Sequence, residues 1–160
     1  MIALEDMVVE VEAYLPVPPE GAFALLSDVE RMAGLGPEHV DARWESEARG
    51  LGARYAGHNR RGEREWEVAC EVVGYEPPRL FAWRVGDPDS PTAVWSYELS
   101  PAGGGTAVVQ RFRHGPGWSF LRRAVEKYPE RSEEFIADRT EELARNMRAV
   151  LAEAAKLLMP

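Results

Sequence analysis

Hydrophobic and polar positions alternate along most of this chain, and give way to three- and four-residue spacing only in a few stretches. Met7, Val9, Val11, Ala13 and Leu15 share one parity against Glu10, Glu12 and Tyr14, which predicts a strand over Met7–Leu15 with one wet face. Pro16-Val17-Pro18-Pro19 ends it, and proline suits the first turn of a helix. Ala22, Phe23, Leu25 and Leu26 give Glu20–Leu26 an apolar helical face. Ser27-Asp28-Val29-Glu30 fits a capping box, with Ser27 at the cap of a second short helix over Val29–Gly34.

Six consecutive strands follow, each bounded by Gly, Pro or Asp turn residues: Val40–Glu47, Ala53–Arg60, Glu65–Tyr75, Leu80–Val85, Thr92–Leu99 and Thr106–Arg113. Parity groups Tyr55 with Asn59, and Trp66 with Val68, Cys70 and Val72. It likewise groups Phe81 with Trp83 and Val85, Trp95 with Tyr97, and Gln110 with Phe112. After Gly115-Pro116-Gly117, the residues Trp118, Leu121, Val125 and Tyr128 fall at helical spacing between basic and acidic neighbours, which predicts a short amphipathic helix.

Ser132–Leu158 contains neither Pro nor Gly and is rich in strong helix formers. Ser132 is placed to cap it, and Glu133 and Glu134 suit the positive end of its dipole. Ile136, Leu143, Met147, Val150, Ala154 and Leu158 form its apolar stripe. Such a helix runs roughly 40 Å at about 1.5 Å per residue. An antiparallel sheet with one wet face needs a helix to cover the other, and only this one is long enough. The expectation is an α+β chain: a seven-stranded antiparallel sheet against a long C-terminal helix, with two short helices between the first and second strands, in a single domain over 1–160.

Composition narrows the function classes. A hydrophobic fraction of 45% with 29% charged residues is that of a soluble globular protein, and no stretch approaches a membrane span. Glu5 and Asp6 near the start argue against a signal peptide, and a cytoplasmic location is expected. The net charge of −8 argues against nucleic-acid binding, despite local basic groups at Arg60/Arg61 and Arg111/Arg113/Arg122/Arg123. Cys70 is alone, so no internal disulfide forms, and an inert core thiol is its expected role. His39, His58 and His114 show no metal-ligand spacing, so neither a metal nor a cofactor is expected. Asp28 reads as a helix cap rather than a base.

The order of elements resembles the helix-grip fold of the START/Bet v 1-like (SRPBCC) superfamily, in which a curved sheet wraps a long C-terminal helix. The local sequence is also similar to bacterial polyketide cyclase/dehydrase-like members. Pro18-Pro19-Glu20 ahead of Leu26-Ser27-Asp28-Val29-Glu30-Arg31 resembles that family's strand-to-helix joint. Gly52-x-x-Tyr55-x-Gly57-x-Asn59 with Trp66, then Pro77-Pro78, Phe81-x-Trp83, Trp95-x-Tyr97 and Gly105-Thr106-x-Val108, continue the likeness. One departure is Leu35-Gly36 ahead of Pro37-Glu38, where many relatives carry Trp-Ser. The resemblance implies a deep, mostly apolar cavity between sheet and helix. It implies no single reaction, since fold and function separate in this superfamily.

The inward parities nominate Tyr55, Asn59, Trp66, Trp83, Trp95, Tyr97, Gln110 and Phe112 as cavity residues, with Leu143 and Met147 facing them from the helix. Several Trp rings on neighbouring strands offer a flat apolar wall, and buried Trp and Tyr need hydrogen-bond partners that a planar, oxygen-bearing ligand can supply. The plainer alternative is that these rings fill a core. Asn59 and Gln110 cost free energy on an apolar face unless they bond each other, water or a ligand. Trp118, Leu121 and Val125 are candidates for a lid, a membrane- or partner-touching surface, or ordinary packing. Arg139 and Asn146 flank the helix stripe, and Arg139 is expected to snorkel to solvent.

Three functions compete. The first is a carrier or sensor for a hydrophobic, aromatic or polyketide/lipid-like small molecule. The second is a cofactor-free polyketide cyclase/dehydrase, in which Tyr55 and Tyr97 polarise a carbonyl. The third is an interaction module of the co-chaperone or toxin kind with a collapsed cavity. No strong base falls on the inner faces, which favours the first over the second, and the catalytic residues stay unassigned. No stable membrane insertion is expected, and homodimerisation stays open.

Overall fold

The computed structural model describes residues 3–160. Its strands are β1 (Val8–Leu15), β2 (His39–Trp44), β3 (Arg54–Arg61), β4 (Arg64–Glu76), β5 (Leu80–Asp87), β6 (Ser90–Ala102) and β7 (Gly105–His114). Helices α1 (Pro19–Leu26) and α2 (Val29–Met32) lie between β1 and β2, and α3 (Phe120–Lys127) and α4 (Ser132–Leu158) follow β7. The seven strands form one antiparallel sheet in the order β1-β7-β6-β5-β4-β3-β2. Every neighbouring pair from β2 to β7 is consecutive in sequence. Helices α1 and α2 carry the chain from one edge strand to the other. The whole matches the Bet v 1-like helix-grip fold.

The expected parities set the faces. Val9, Val11, Leu15, Tyr55, Cys70, Val72, Phe81 and Tyr97 are buried, while their strand neighbours such as Glu10 and Glu12 are exposed. Directly paired residues make rows across the sheet. One row runs Val11, Gln110, Tyr97, Phe81. The next runs Val9, Phe112, Trp95, Trp83, Val72. Register shifts between Val72 and Gly74, and between Val85 and Gly86, interrupt the ladders in the middle of the sheet. Such bulges bend a strand and raise its twist, which lets the sheet curve around a helix.

Helix α4 packs closely on β1, touches α1 and α3, and stands off the central strands. Its buried residues are Ser132, Ile136, Leu143, Met147, Leu151 and Ala154. The gap between α4 and the middle of the sheet is where a cavity opens. No helix is long and apolar enough to cross a membrane among the described residues.

Several local expectations are corrected. Met7 precedes β1, closing a short 3-10 turn over Leu4–Asp6. Strand β2 begins at His39 and stops at Trp44, short of Glu47. Asp28, not Ser27, caps α2: its carboxylate accepts from the Arg31 N–H, while Ser27 Oγ donates back to the Phe23 carbonyl. Glu30 accepts from the Trp44 N–H instead of closing a capping box. Nor does Ser132 cap α4, because a 3-10 turn over Pro129–Arg131 leads directly into the helix and Ser132 Oγ donates to the Pro129 carbonyl. Four of the six local basic residues are paired with carboxylates, and Arg113 and Arg123 are exposed. Arg60 meets Glu65, Arg61 meets Glu142, Arg111 meets Glu10, and Arg122 meets Glu5.

Candidate functional site

A cavity of about 240 Å³ lies between the sheet and α4. An apolar cavity of about 150 Å³ is enough to hold benzene, so this one admits a larger aromatic body. Tyr55, Asn59, Trp66, Trp83, Trp95, Tyr97, Gln110 and Phe112 line it from the strands, and Leu143 and Met147 line it from α4. Alternation explains the strand set, since residues two apart share a face. On α4, Arg139, Leu143, Asn146, Met147 and Val150 repeat at three and four residues, so a single stripe faces the gap.

The wall is aromatic. Trp83 and Trp95, paired across β5 and β6, lie parallel with ring centroids 6.0 Å apart. Phe112 meets Trp95 edge-on at 4.8 Å, and Tyr97 tilts against Trp83 at 5.3 Å. Such contacts hold the rings in place and leave one side of the row to the cavity.

Polar groups sit at two ends. Gln110 and Tyr97 are directly paired across β6 and β7, and both are buried. Gln110 Oε1 has no hydrogen-bond partner among the described residues. An orphaned buried acceptor costs about 1–3 kcal/mol, which a partner molecule would recover. Burial pushes the Tyr97 phenol well above its ordinary range. Tyr55 is raised likewise, first by burial and then by Cys70 opposite it. Both tyrosines are therefore neutral O–H donors. Cys70 is pushed up to about 12 by burial, so it is a thiol and not a nucleophile.

At the other end the lining residues are only half-buried, and this is the mouth: Gly36, Glu38, His39, Asn59, Trp66, Arg139 and Asn146. Arg139 is held by both carboxylate oxygens of Glu38 and also by Glu142. Burial alone would lower its pKa, but the two carboxylates outweigh burial and raise it. Asn146 Nδ2 donates to the same Glu38 at 3.2 Å. Arg139 therefore does not snorkel; it closes an ion pair with a loop residue that sequence spacing does not connect to it.

Asn59 and Gln110 do not bond each other. Asn59 Oδ1 pairs instead with His39 Nδ1 at 2.8 Å; in the neutral tautomer that donates from Nδ1, Nε2 is an acceptor. Gly57 makes this possible, because a Cβ there would stand 2.9 Å from His39 Cε1. Gly36 serves the same rim, since its Cβ would stand in the Val150 side chain of α4. The strand parity of Asn59 was legible; the loop residue Glu38 and His39, the first residue of β2, had only Pro37-Glu38-His39 after a glycine break to mark them.

Trp118, Leu121 and Val125 do not line the cavity. Trp118 is 56% exposed and packs edge-on against Phe120, whose ring meets Trp66 at 5.2 Å. Leu121 and Val125 are half-buried against the core. Phe120, absent from the sequence-based set, is the α3 residue that touches the cavity wall. His58 lies on the outer face beside Glu65, and His114 is buried outside the cavity. No cluster of metal-ligating residues occurs among the described residues.

Comparisons with known proteins agree with this architecture. The family model described as polyketide cyclase / dehydrase and lipid transport matches residues 6–151. The Polyketide_cyc-like protein Cgl2372 from Corynebacterium glutamicum is 27% identical, over 94% of this chain and 91% of its own, with a TM-score of 0.67. TTHA0849 from Thermus thermophilus is 16% identical over 93% and 94% of the two chains, with a TM-score of 0.67. Ara h 8.0201 is 16% identical over 86% and 96%, with a TM-score of 0.55. No curated protein matches. The chain belongs to the polyketide cyclase/dehydrase and lipid transport family, within the SRPBCC superfamily.

Proposed function

We propose that this chain is a carrier or sensor that binds a hydrophobic, aromatic or polyketide-like small molecule between its sheet and α4. The observation that carries the reading is the cavity of about 240 Å³ walled by Trp83, Trp95 and Phe112. A module that acted only through its surface would have no need to keep such a space open, because an empty apolar cavity costs stability. Of the lining residues, the eight strand residues Tyr55, Asn59, Trp66, Trp83, Trp95, Tyr97, Gln110 and Phe112 and the α4 residues Leu143 and Met147 are the proposed ligand contacts, and the ligand is taken up without a cofactor. Aromatic rings entering the gap would quench the tryptophans that line it. Titration of intrinsic fluorescence with 2-naphthol tests this: saturable quenching supports the reading, and unchanged emission up to the solubility limit sinks it.

One observation favours a second reading, a cofactor-free cyclase or dehydrase. His39 lines the cavity with Nδ1 fixed by Asn59, which leaves Nε2 free to take a proton from a ligand carbon flanked by carbonyls. Tyr55 or Tyr97 would donate to the enolate oxygen. Incubation with a linear polyketone separates the two. Binding with an unchanged product distribution supports the carrier; cyclisation that disappears in His39→Gln supports the enzyme.

A further inference from the structure

The polar groups that line the cavity fall into an uncharged pair on its inner wall and a charged set at its mouth. Gln110 and Tyr97 occupy its inner wall side by side, flanked in their row by Val11 and Phe81. Gln110 is 4% exposed and its Oε1 has no partner among the described residues. Half a turn of the terminal amide presents either its oxygen or its N–H to the cavity. Tyr97 adds an O–H. This end therefore offers a donor and an acceptor but no charge. The charged lining groups, Glu38 and Arg139, are at the mouth and already bound to each other. An anion carried to the inner wall would lose its hydration and meet no cation there.

We propose that Gln110 and Tyr97 form a subsite for the uncharged oxygen-bearing group of an aromatic ligand, a phenol or an aryl ketone, and that an arenecarboxylate of the same size is rejected. A phenol would donate to Gln110 and accept from Tyr97; a ketone would accept from Tyr97 or from the amide N–H. The proposal rests on the reading of the cavity as a ligand pocket, and it adds which ligands that pocket prefers.

Dissociation constants for naphthalene, 2-naphthol, 2-acetylnaphthalene and 2-naphthoate at pH 7, measured by NMR titration of the full chain, test it. The naphthol and the ketone are expected to bind about tenfold more tightly than naphthalene, and the carboxylate at least about tenfold more weakly than the naphthol. In Gln110→Leu and, independently, Tyr97→Phe, the ratio of the naphthalene to the naphthol dissociation constant is expected to fall below about threefold. Circular dichroism confirms that each variant is folded. Equal affinity for naphthol and naphthoate, or a preference that survives both substitutions, overturns the subsite and leaves the pocket standing. Failure of every probe, naphthalene included, overturns the pocket and the subsite together.

Discussion

Arg139 reaches from the first third of α4 to both carboxylate oxygens of Glu38, at 2.6 and 2.9 Å, across the mouth of the cavity. The two residues are 101 apart in sequence, and each side chain is about four-fifths buried. Glu38 follows the glycine break after α2, so the pair ties the loop that leads into β2 to the helix facing it. A double-mutant cycle with Glu38→Gln and Arg139→Met, read by urea unfolding, is expected to give a coupling of about 1–2 kcal/mol, between exposed and fully buried pairs. Additive effects would show that the loop and α4 are held together by packing alone.

Gly36 lies against α4 just before that pair. A Cβ at this position would meet Val150 Cγ2 well inside contact distance. Gly36→Ala is expected to destabilise by about 1–3 kcal/mol, as overpacking does. Val150→Ala in the same chain should recover most of the loss, because it removes the atom that clashes. Thermal melts of the single and double variants measure both. No recovery would mean that the glycine is needed for its backbone and not for space.

Met147 is buried and sits in the middle of the cavity lining from α4. Met147→Trp fills much of the gap with an indole, so ligand binding should be lost. Overpacking of about 1–3 kcal/mol is the upper range of the penalty, since the added ring enters empty space. Calorimetric titration with 2-naphthol, alongside a melting curve, checks the two halves. A variant that binds normally would make α4 a structural plug.

His114 gives the pH dependence a definite sign. It is buried at the end of β7, with Nδ1 on the Gly115 carbonyl and Nε2 on Ser119 Oγ, and Ser119 in turn caps α3 through the Arg122 N–H. Burial lowers its pKa; the Gly115 carbonyl and Glu5 oppose the shift, and Arg122 adds to it. A lowered folded-state value means that the unfolded chain takes up the proton first. The stability held by neutral His114 is therefore complete above about pH 6.5 and is lost as pH falls through the folded-state value. The urea midpoint should fall between pH 7.5 and pH 5, before the carboxylates titrate, and His114→Gln should flatten that portion of the curve. An unchanged slope in the variant would assign the dependence to other groups.

Much of the fold was legible because its signals are local. Residues 132–158 read as a helix from composition alone, and the structure starts and ends α4 at those residues. A period of two assigns each strand residue to a face regardless of what lies opposite, so Trp66, Trp83, Trp95 and Gln110 could be placed inward together. The polar chemistry was not legible in the same way. The partner of Arg139 is Glu38, brought to it by the closure of the sheet around α4, and the partner of Asn59 is His39, its cross-strand neighbour at the start of β2. Gln110 could be recognised as an inward amide, but its lack of a partner depends on what Tyr97 and its neighbours fail to offer. Caps were misplaced by one residue at Ser27 and Ser132, where a neighbouring carboxylate or a preceding 3-10 turn took over the role.

The five tryptophans allow the central claim to be tested by position. Trp66, Trp83 and Trp95 line the cavity, whereas Trp44 and Trp118 do not. In an 15N-correlated NMR titration with 2-naphthol, the indole N–H signals of the first three should shift and saturate together while the other two stay in place. Shifts confined to Trp44 or Trp118, or no saturable shift in any of the five, would contradict a ligand held between the sheet and α4.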